Sequence, residues 1–71
     1  MTQKQRILQY IDECGAITPQ EAMIYLSVMR LAARIKELEQ DGILLRHDWK
    51  TGQNRYGEPI RYMEYRRATQ Q

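Results

Sequence analysis

Helix stop and start signals divide the first part of this sequence into short segments, and they constrain the fold more than any other feature. Gly15 is a helix stop. Residues 18–21, Thr-Pro-Gln-Glu, combine a capping threonine, a proline suited to a first turn and a glutamate placed to complete a capping box. Ser27 and the Asp-Gly pair at 41–42 mark two further boundaries. These signals predict three short helices.

Apolar residues recur at helical spacing within the first two segments. The first predicted helix covers residues 4–14, and its apolar face consists of Ile7, Leu8, Ile11 and Cys14. The second covers residues 19–26, with Ala22 and Leu26 as its predicted buried pair. Cys14 is then expected to be a small buried hydrophobe. As the only cysteine, it excludes a disulfide framework and a cysteine-cluster metal site.

The third segment has the pattern of a longer helix. We expect Ser27 to cap it and the helix to run from Val28 to about Asp41. At about 100° per residue, its apolar side chains fall within one arc, which must face the core. That arc contains Val28, Leu31, Ile35 and Leu38. Gly42 suits the left-handed position that follows a helix.

Alternation of apolar and polar residues then replaces helical spacing. Residues 43–50 form one predicted strand, with Ile43, Leu45, His47 and Trp49 on the same face. Residues 51–59 contain two glycines and a proline and form a long tip, and residues 60–67 form the returning strand. Because the chain has no phenylalanine, we expect Trp49 and the tyrosines at 56, 62 and 65 mainly in the core. The alternative is that this aromatic and basic strand pair stacks single-stranded bases.

The predicted order of elements is a helix, a helix-turn-helix and a hairpin, which is the order of a winged helix-turn-helix. The fold class is therefore mainly α with a small β hairpin: three helices followed by a two-stranded wing. A length of 71 residues allows one domain, 1–71, with a core of about 4–67. We expect the polar ends, residues 1–3 and 69–71, to fray.

The formal charge of +2 is unevenly distributed. Residues 46–71 contain six Lys and Arg against three Asp and Glu, a local net charge of +3. Five of those six cations are arginines, whose guanidinium groups suit phosphate. This excess favours a nucleic-acid partner, and the alternative is a solvated strand pair that binds nothing.

The motifs resemble those of a known family. Residues 30–38 read Arg-Leu-Ala-Ala-Arg-Ile-x-x-Leu, Gly42-Ile43 follows, and residues 54–58 read Asn-Arg-Tyr-Gly-Glu. Together they resemble a family of short winged helix-turn-helix proteins common in bacteriophages and prophages, over about Gln5 to Tyr65. The resemblance implies a winged-helix fold and DNA binding in a phage or prophage setting. One departure is that Ile24 and Tyr25 are apolar where the family is mostly polar.

Candidate DNA-binding residues lie on three predicted elements. The third helix suits the major groove, which is about 12 Å wide, and its candidates are Met29, Arg30, Ala33, Arg34 and Lys36. The start of the second helix suits a phosphate, with backbone N–H groups at residues 19–21 and with Thr18 and Gln20 as candidates. The wing suits the adjacent backbone or minor groove through Lys50, Gln53, Asn54 and Arg55. Two alternatives stay open. Arg30 and Arg34 could instead form ion pairs with Glu37 or with acidic groups of the first helix, and Met29 and Ala33 could be merely tolerated small contacts.

The expected function is that of a small DNA-binding protein, a transcriptional or architectural regulator whose partner is double-stranded DNA. One histidine, one cysteine and no meaningful carboxylate pair argue against an enzyme, a metal site or a cofactor. The alternative is a protein-interaction module, such as a phage inhibitor of a host protein. Ile24 and Tyr25, with Met29, would then form an apolar patch for that partner or for a second copy in a homodimer. A rotated second helix with Met23 or Ile24 in the core is the competing interpretation.

The expected location is the cytoplasm of a bacterial host. The start of the chain lacks the apolar segment of a signal peptide. No apolar run approaches the length of about 20 residues that a membrane span needs.

Overall fold

The computed structural model describes residues 1–68 and contains three helices followed by a two-stranded antiparallel hairpin. The elements are α1 (Gln3–Cys14), α2 (Pro19–Leu26), α3 (Leu31–Gln40), β1 (Leu45–Gln53) and β2 (Pro59–Arg67). This architecture confirms the predicted fold class of mainly α with a small β hairpin, a winged helix-turn-helix. No helix within residues 1–68 is long and apolar enough to cross a membrane.

Capping boxes fix the starts of α1 and α2. Thr2 accepts the N–H of Gln5 at 3.1 Å, and the Gln5 side chain accepts the N–H of Thr2 at 2.8 Å. Thr18 and Glu21 make the predicted reciprocal pair at 3.2 and 3.1 Å. Each box satisfies N–H groups that a helix start would leave unpaired. The expected fraying of residues 1–3 is therefore wrong at Thr2, and residues 69–71 lie outside the described part of the chain.

The turn between α2 and α3 differs from the prediction. Ser27 does not cap α3: it adopts a left-handed conformation, φ 57°, and ends α2. The N–H of Val28 donates to the carbonyl of Ala22 at 2.9 Å, and the Val28 side chain is buried. Because this bond and this burial hold Val28 against α2, the helical path restarts only at Leu31. The predicted start of α3 at Val28 is wrong by three residues.

The hairpin is longer and its tip shorter than predicted. Gln53 pairs with Pro59, so the strands extend into the predicted tip and leave only residues 54–58 to connect them. The Asn54 side chain holds this turn: Oδ1 accepts the N–H groups of Tyr56 and Glu58 at 2.9 and 3.1 Å. Its Nδ2 donates to the Glu58 carboxylate at 2.7 Å. The side chain of Asn54 thus closes the turn that connects the two strands.

The link between α1 and α2 joins the sheet. Ile17 pairs with Tyr65 through two backbone hydrogen bonds of 2.8 and 2.9 Å, on the edge of β2 away from β1. Arg67 adds a side-chain connection, donating to both Asp12 carboxylate oxygens at 3.0 and 3.1 Å. These contacts hold the base of the hairpin against the helices.

A single cluster of buried side chains joins the helices to the hairpin. It consists of Ile7, Ile11, Ile17, Ala22, Val28, Leu31, Ile35, Leu38 and Tyr65. The four residues predicted as the core stripe of α3 are all in it, as is Ala22, and Leu26 packs partly buried against it. The prediction for Cys14 is wrong, because its side chain is exposed. The chain turns at Gly15, φ 92°, and the buried position beyond it goes to Ile17.

Candidate nucleic-acid interface

The outward face of α3 is short and carries polar or small side chains. Because Leu31, Ile35 and Leu38 dock into the core, the opposite face turns outward. It exposes Ala32, Lys36 and Gln40, while Ala33 is half-buried. Small alanines next to a lysine let the helix backbone approach a surface closely.

Each acidic group near α3 has a partner within the protein itself. Glu37 binds Arg34 at 2.8 Å, and Asp41, just after the helix, binds Lys4 of α1 at 2.8 Å. This hydrogen bond to Asp41 raises the pKa of Lys4 above its ordinary 10.5. Glu39 contacts Nε2 of His47 on β1 at 2.8 Å. The negative charge of the helix is thus largely matched without an external partner.

Arg34 therefore forms the ion pair that was the alternative to a DNA contact. Its guanidinium also donates to the Gln3 side chain at 3.0 Å, which joins α3 to α1. Because Nε and Nη1 of the guanidinium are both engaged, the expected DNA contact of Arg34 gains no support from the geometry.

Arg30 and Lys36 remain without an acidic partner within residues 1–68. Both are exposed, and Arg30 lies in the turn immediately before α3 rather than on its first turn. Met29, also in this turn, is 75% exposed. The position of Arg30 at the N-terminal end of α3 is where a helix in the major groove presents side chains to base edges.

The start of α2 offers less to a phosphate than predicted. Pro19 has no N–H, and the N–H of Glu21 is bonded to Thr18 Oγ1. Thr18 Oγ1 and the N–H of Glu21 are thus engaged in the capping box, and Gln20 offers the unengaged groups at this helix start. The phosphate contact by Thr18 stays a prediction. Gln20 is exposed and has no partner in the described chain.

The predicted wing residues lie in three different environments. Lys50 and Gln53 belong to β1 rather than to the tip, and Lys50 Nζ is 3.8 Å from the Glu64 carboxylate. The Asn54 side chain is engaged in the turn through both Oδ1 and Nδ2, so its expected DNA contact gains no support from the geometry. Arg55 is exposed, with its guanidinium 5.7 Å from the centre of the Tyr56 ring.

The aromatic residues of the hairpin are mostly outside the core, contrary to expectation. Only Tyr65 is buried, and Tyr62 is half-buried. Trp49 is 59% exposed and Tyr56 is 78% exposed. Trp49 lies on the same face as Tyr65 but two positions farther from the base of the hairpin in the pairing register, opposite the half-buried Met63.

The sequence analysis placed Trp49 mainly in the core and did not predict its contact with Arg61. The Arg61 guanidinium lies 4.5 Å from the centre of the Trp49 ring. The length of the strands is the signal that would have predicted this surface contact. A strand of nine residues spans about 30 Å. The eight-residue α2 spans only about 12 Å, so the outer half of the hairpin must project.

The opposite face of the hairpin carries a network of ion pairs. Arg66 donates to Glu64 at 2.8 Å and lies 3.6 Å from Asp48, while Arg46 donates to Asp48 at 3.4 Å. The hydrogen bond to Glu64 raises the pKa of Arg66 above its ordinary value. Two carboxylates that face each other in the register are thus neutralised by strand cations.

The apolar surface of α2 is exposed, as predicted for Ile24 and Tyr25. Their exposed fractions are 58% and 67%, and Met23 is 46% exposed. The interpretation that places Met23 or Ile24 in the core is wrong. Tyr25 stacks on Tyr10 of α1 with ring centres 6.1 Å apart, so the patch extends onto the first helix.

A groove of about 500 Å³ separates the start of α2 from the hairpin. It is lined by Gln20, Gln53, Tyr62 and two carboxylates, Glu21 and Glu64, among others. The carboxylates make it unsuitable for an anion. Across residues 1–68, no group of three or more His, Cys, Asp or Glu side chains is placed to hold a metal ion.

Three helices with a short α2–α3 turn, followed by a projecting hairpin whose base pairs with the α1–α2 link, define a winged helix-turn-helix protein. A comparison with protein-family models agrees: residues 2–69 match the model described as winged helix-turn-helix domain. The chain belongs to this family. Searches of curated proteins and of solved structures gave no match.

Proposed function

We propose that this protein is a small, non-enzymatic regulator that binds double-stranded DNA. The observation that carries the proposal is the distribution of unpaired cations. Within residues 1–68, the lysines and arginines with no acidic group within 4.0 Å are Arg6, Arg30, Lys36, Arg55 and Arg61. All but Arg6 lie on α3, the turn before it or the hairpin.

The geometry supports a specific docking arrangement. The outward face of α3 enters the major groove, with Arg30 at base edges and Lys36 at the phosphates. Met29, beside Arg30, contacts the groove floor, and Gln20 meets the backbone from the start of α2. Arg55 places the tip of the hairpin on the neighbouring backbone or minor groove.

The setting follows from the resemblance of the motifs to short phage and prophage proteins. We place the protein in the bacterial cytoplasm, where it would act on transcription or on DNA architecture. A single module of this size buries only about 600–1,000 Å² on DNA. We therefore expect modest affinity for one isolated site, and tighter binding where copies dimerise or occupy neighbouring sites.

Fluorescence anisotropy with a labelled random duplex, at two salt concentrations, tests the proposal. Neutralising phosphates releases counterions, so affinity should fall steeply as salt rises. If three to four cations contact phosphate, a fourfold rise in salt lowers affinity by about 40- to 150-fold, because each contact contributes about 0.9 to the logarithmic slope. No binding at the lower salt concentration would overturn the proposal.

The exposed apolar patch favours a second candidate, a protein-interaction module such as a phage inhibitor of a host protein, or a homodimer. Its core is Ile24 and Tyr25, flanked by Met23 and Met29, and the exposed fractions give it room for a partner. The double variant Ile24→Ser with Tyr25→Lys tests it. If oligomeric mass, partner binding and DNA affinity are all unchanged, the patch has no such role.

A further inference from the structure

The outer half of the hairpin carries an exposed aromatic side chain that the fold does not need. Trp49 is 59% exposed, and the fully buried cluster takes only Tyr65 from the hairpin, two register positions nearer the base. Its indole N–H has no protein acceptor within residues 1–68. Arg61 covers part of the ring, with its guanidinium 4.5 Å from the ring centre, and the remaining surface is open to solvent. An exposed tryptophan next to an arginine combines an open aromatic surface with a positive charge.

The hairpin separates its charges between two faces. In the pairing register, Asp48 and Glu64 lie directly opposite each other on one face, together with Lys50. Trp49 and Arg61 lie on the other face, which we call the Trp49 face. Neither strand places an acidic residue there. The charge of Arg61 is thus not neutralised by a neighbouring acid, and it lies beside an open aromatic ring. This pair of groups complements a partner that is both anionic and flat.

The chemistry of such a partner is that of an unpaired nucleotide. Inside a duplex, both faces of each base are covered by neighbouring bases, so Trp49 has no base face to stack on. Bases in a single strand are open, and stacking on an aromatic side chain accepts any of them. The adjacent Arg61 supplies the charge for the phosphate.

We propose that the Trp49 face binds a single-stranded DNA segment that continues from the duplex held by α3, with one base stacked on Trp49 and a phosphate at Arg61. This inference rests on the proposed binding of duplex DNA. At the tip, Tyr56 is 78% exposed, and its ring offers a second stacking surface to the next nucleotides. The protein is therefore selective for a junction between double and single strands.

The test compares a blunt duplex with the same duplex carrying a short single-stranded tail. The tail should raise the affinity of the wild-type protein about tenfold, since one stacked base is worth about that factor. Trp49 is the only tryptophan in the chain, so its fluorescence reports the contact directly. The tailed DNA should quench this emission and the blunt duplex should not.

Two substitutions at one position separate stacking from general apolar contact. Trp49→Leu should lose the gain from the tail and keep the wild-type affinity for the blunt duplex. Trp49→Phe should retain most of the gain. Lys50→Ala, on the opposite face of the same strand, is the matched control and should leave the ratio of the two affinities unchanged. Thermal melting checks that each variant is folded.

The outcomes distinguish this inference from the proposed function. Binding to the blunt duplex without a gain from the tail overturns the inference and leaves the proposed function standing. Equal losses by Trp49→Leu on both DNAs also overturn it, because Trp49 then contacts the duplex itself. Binding to the tail alone supports the Trp49 face as a single-strand site and overturns the duplex proposal. No binding to either DNA overturns both.

Discussion

At the scale of single residues, the surroundings of each arginine decide its role. Arg34 is held by Gln3 and Glu37, and Arg67 is held by Asp12. Arg30 is exposed and has no acidic partner in the described chain, while Arg61 lies on the Trp49 ring. The residue type is the same in all four cases, so arginine content alone does not locate the interface. The positions of the neighbouring carboxylates do.

The first prediction concerns Arg30 and its matched control, Arg34. Arg30→Ala should lower affinity for the preferred sequence by about 1–3 kcal/mol and reduce discrimination between sequences, since an arginine at base edges carries specificity. Arg34→Ala should leave DNA affinity nearly unchanged, because its guanidinium is bound within the protein. Anisotropy titrations with preferred and scrambled duplexes measure both. A larger loss for Arg34→Ala than for Arg30→Ala would contradict the assignment.

At the scale of elements, the α2–α3 turn determines which side chains precede α3. Ser27 is left-handed, so α3 starts at Leu31 and Arg30 emerges from the turn. A serine in this conformation costs about 1–2 kcal/mol relative to glycine, before the entropy that glycine loses. The position of Arg30 in the turn before α3 is therefore obtained at a small cost in stability.

The second prediction follows from this conformation. Ser27→Gly should stabilise the fold by up to about 1 kcal/mol, because glycine accepts a positive φ without strain. Ser27→Ala keeps the Cβ and should change stability by less than about 0.5 kcal/mol. Chemical denaturation measures both. If Ser27 were an N-cap, Ser27→Ala would instead cost about 0.5–2 kcal/mol and Ser27→Gly would not stabilise.

The sequence predicts the elements well where the signals are local. The bounds of α2 follow from a capping threonine, a proline and the breaker Ser27, and the core face of α3 follows from helical spacing. The predicted start of α3 was wrong because serine usually favours a helix start. Here the burial of Val28 makes Ser27 the end of α2 instead. Trp49 was misplaced because alternation gives the face of a strand residue but not the length of the core beneath it.

At the scale of the whole molecule, the buried cluster is small and Tyr65 is its only contribution from the hairpin. Tyr65 also pairs with Ile17 and meets the His47 ring edge-on, at 5.0 Å between ring centres. Burial, with a smaller contribution from the charge of Glu39, raises the pKa of the Tyr65 phenol above its ordinary 10.0. The position of the hairpin is therefore coupled to the protonation of this residue.

The third prediction is an alkaline loss of stability. The folded protein holds the Tyr65 proton more tightly than the unfolded chain, so stability is fully present below pH 10.0 and falls as the pH rises through the higher folded-state pKa. Tyr65→Phe should lose less stability than the wild type over this range. Tyr56→Phe, at an exposed phenol, is the control and should follow the wild type. Identical pH profiles for Tyr65→Phe and wild type would contradict the coupling.

The central claim is that the outward face of α3 and the hairpin together hold duplex DNA. The most direct test is a titration of isotopically labelled protein with duplex DNA, followed by backbone amide shifts in ¹H–¹⁵N correlation spectra. We predict the largest shifts at Gln20, in residues 29–36 and around Arg55. Shifts confined to Ile24 and Tyr25, or no shifts at low salt, would contradict the claim.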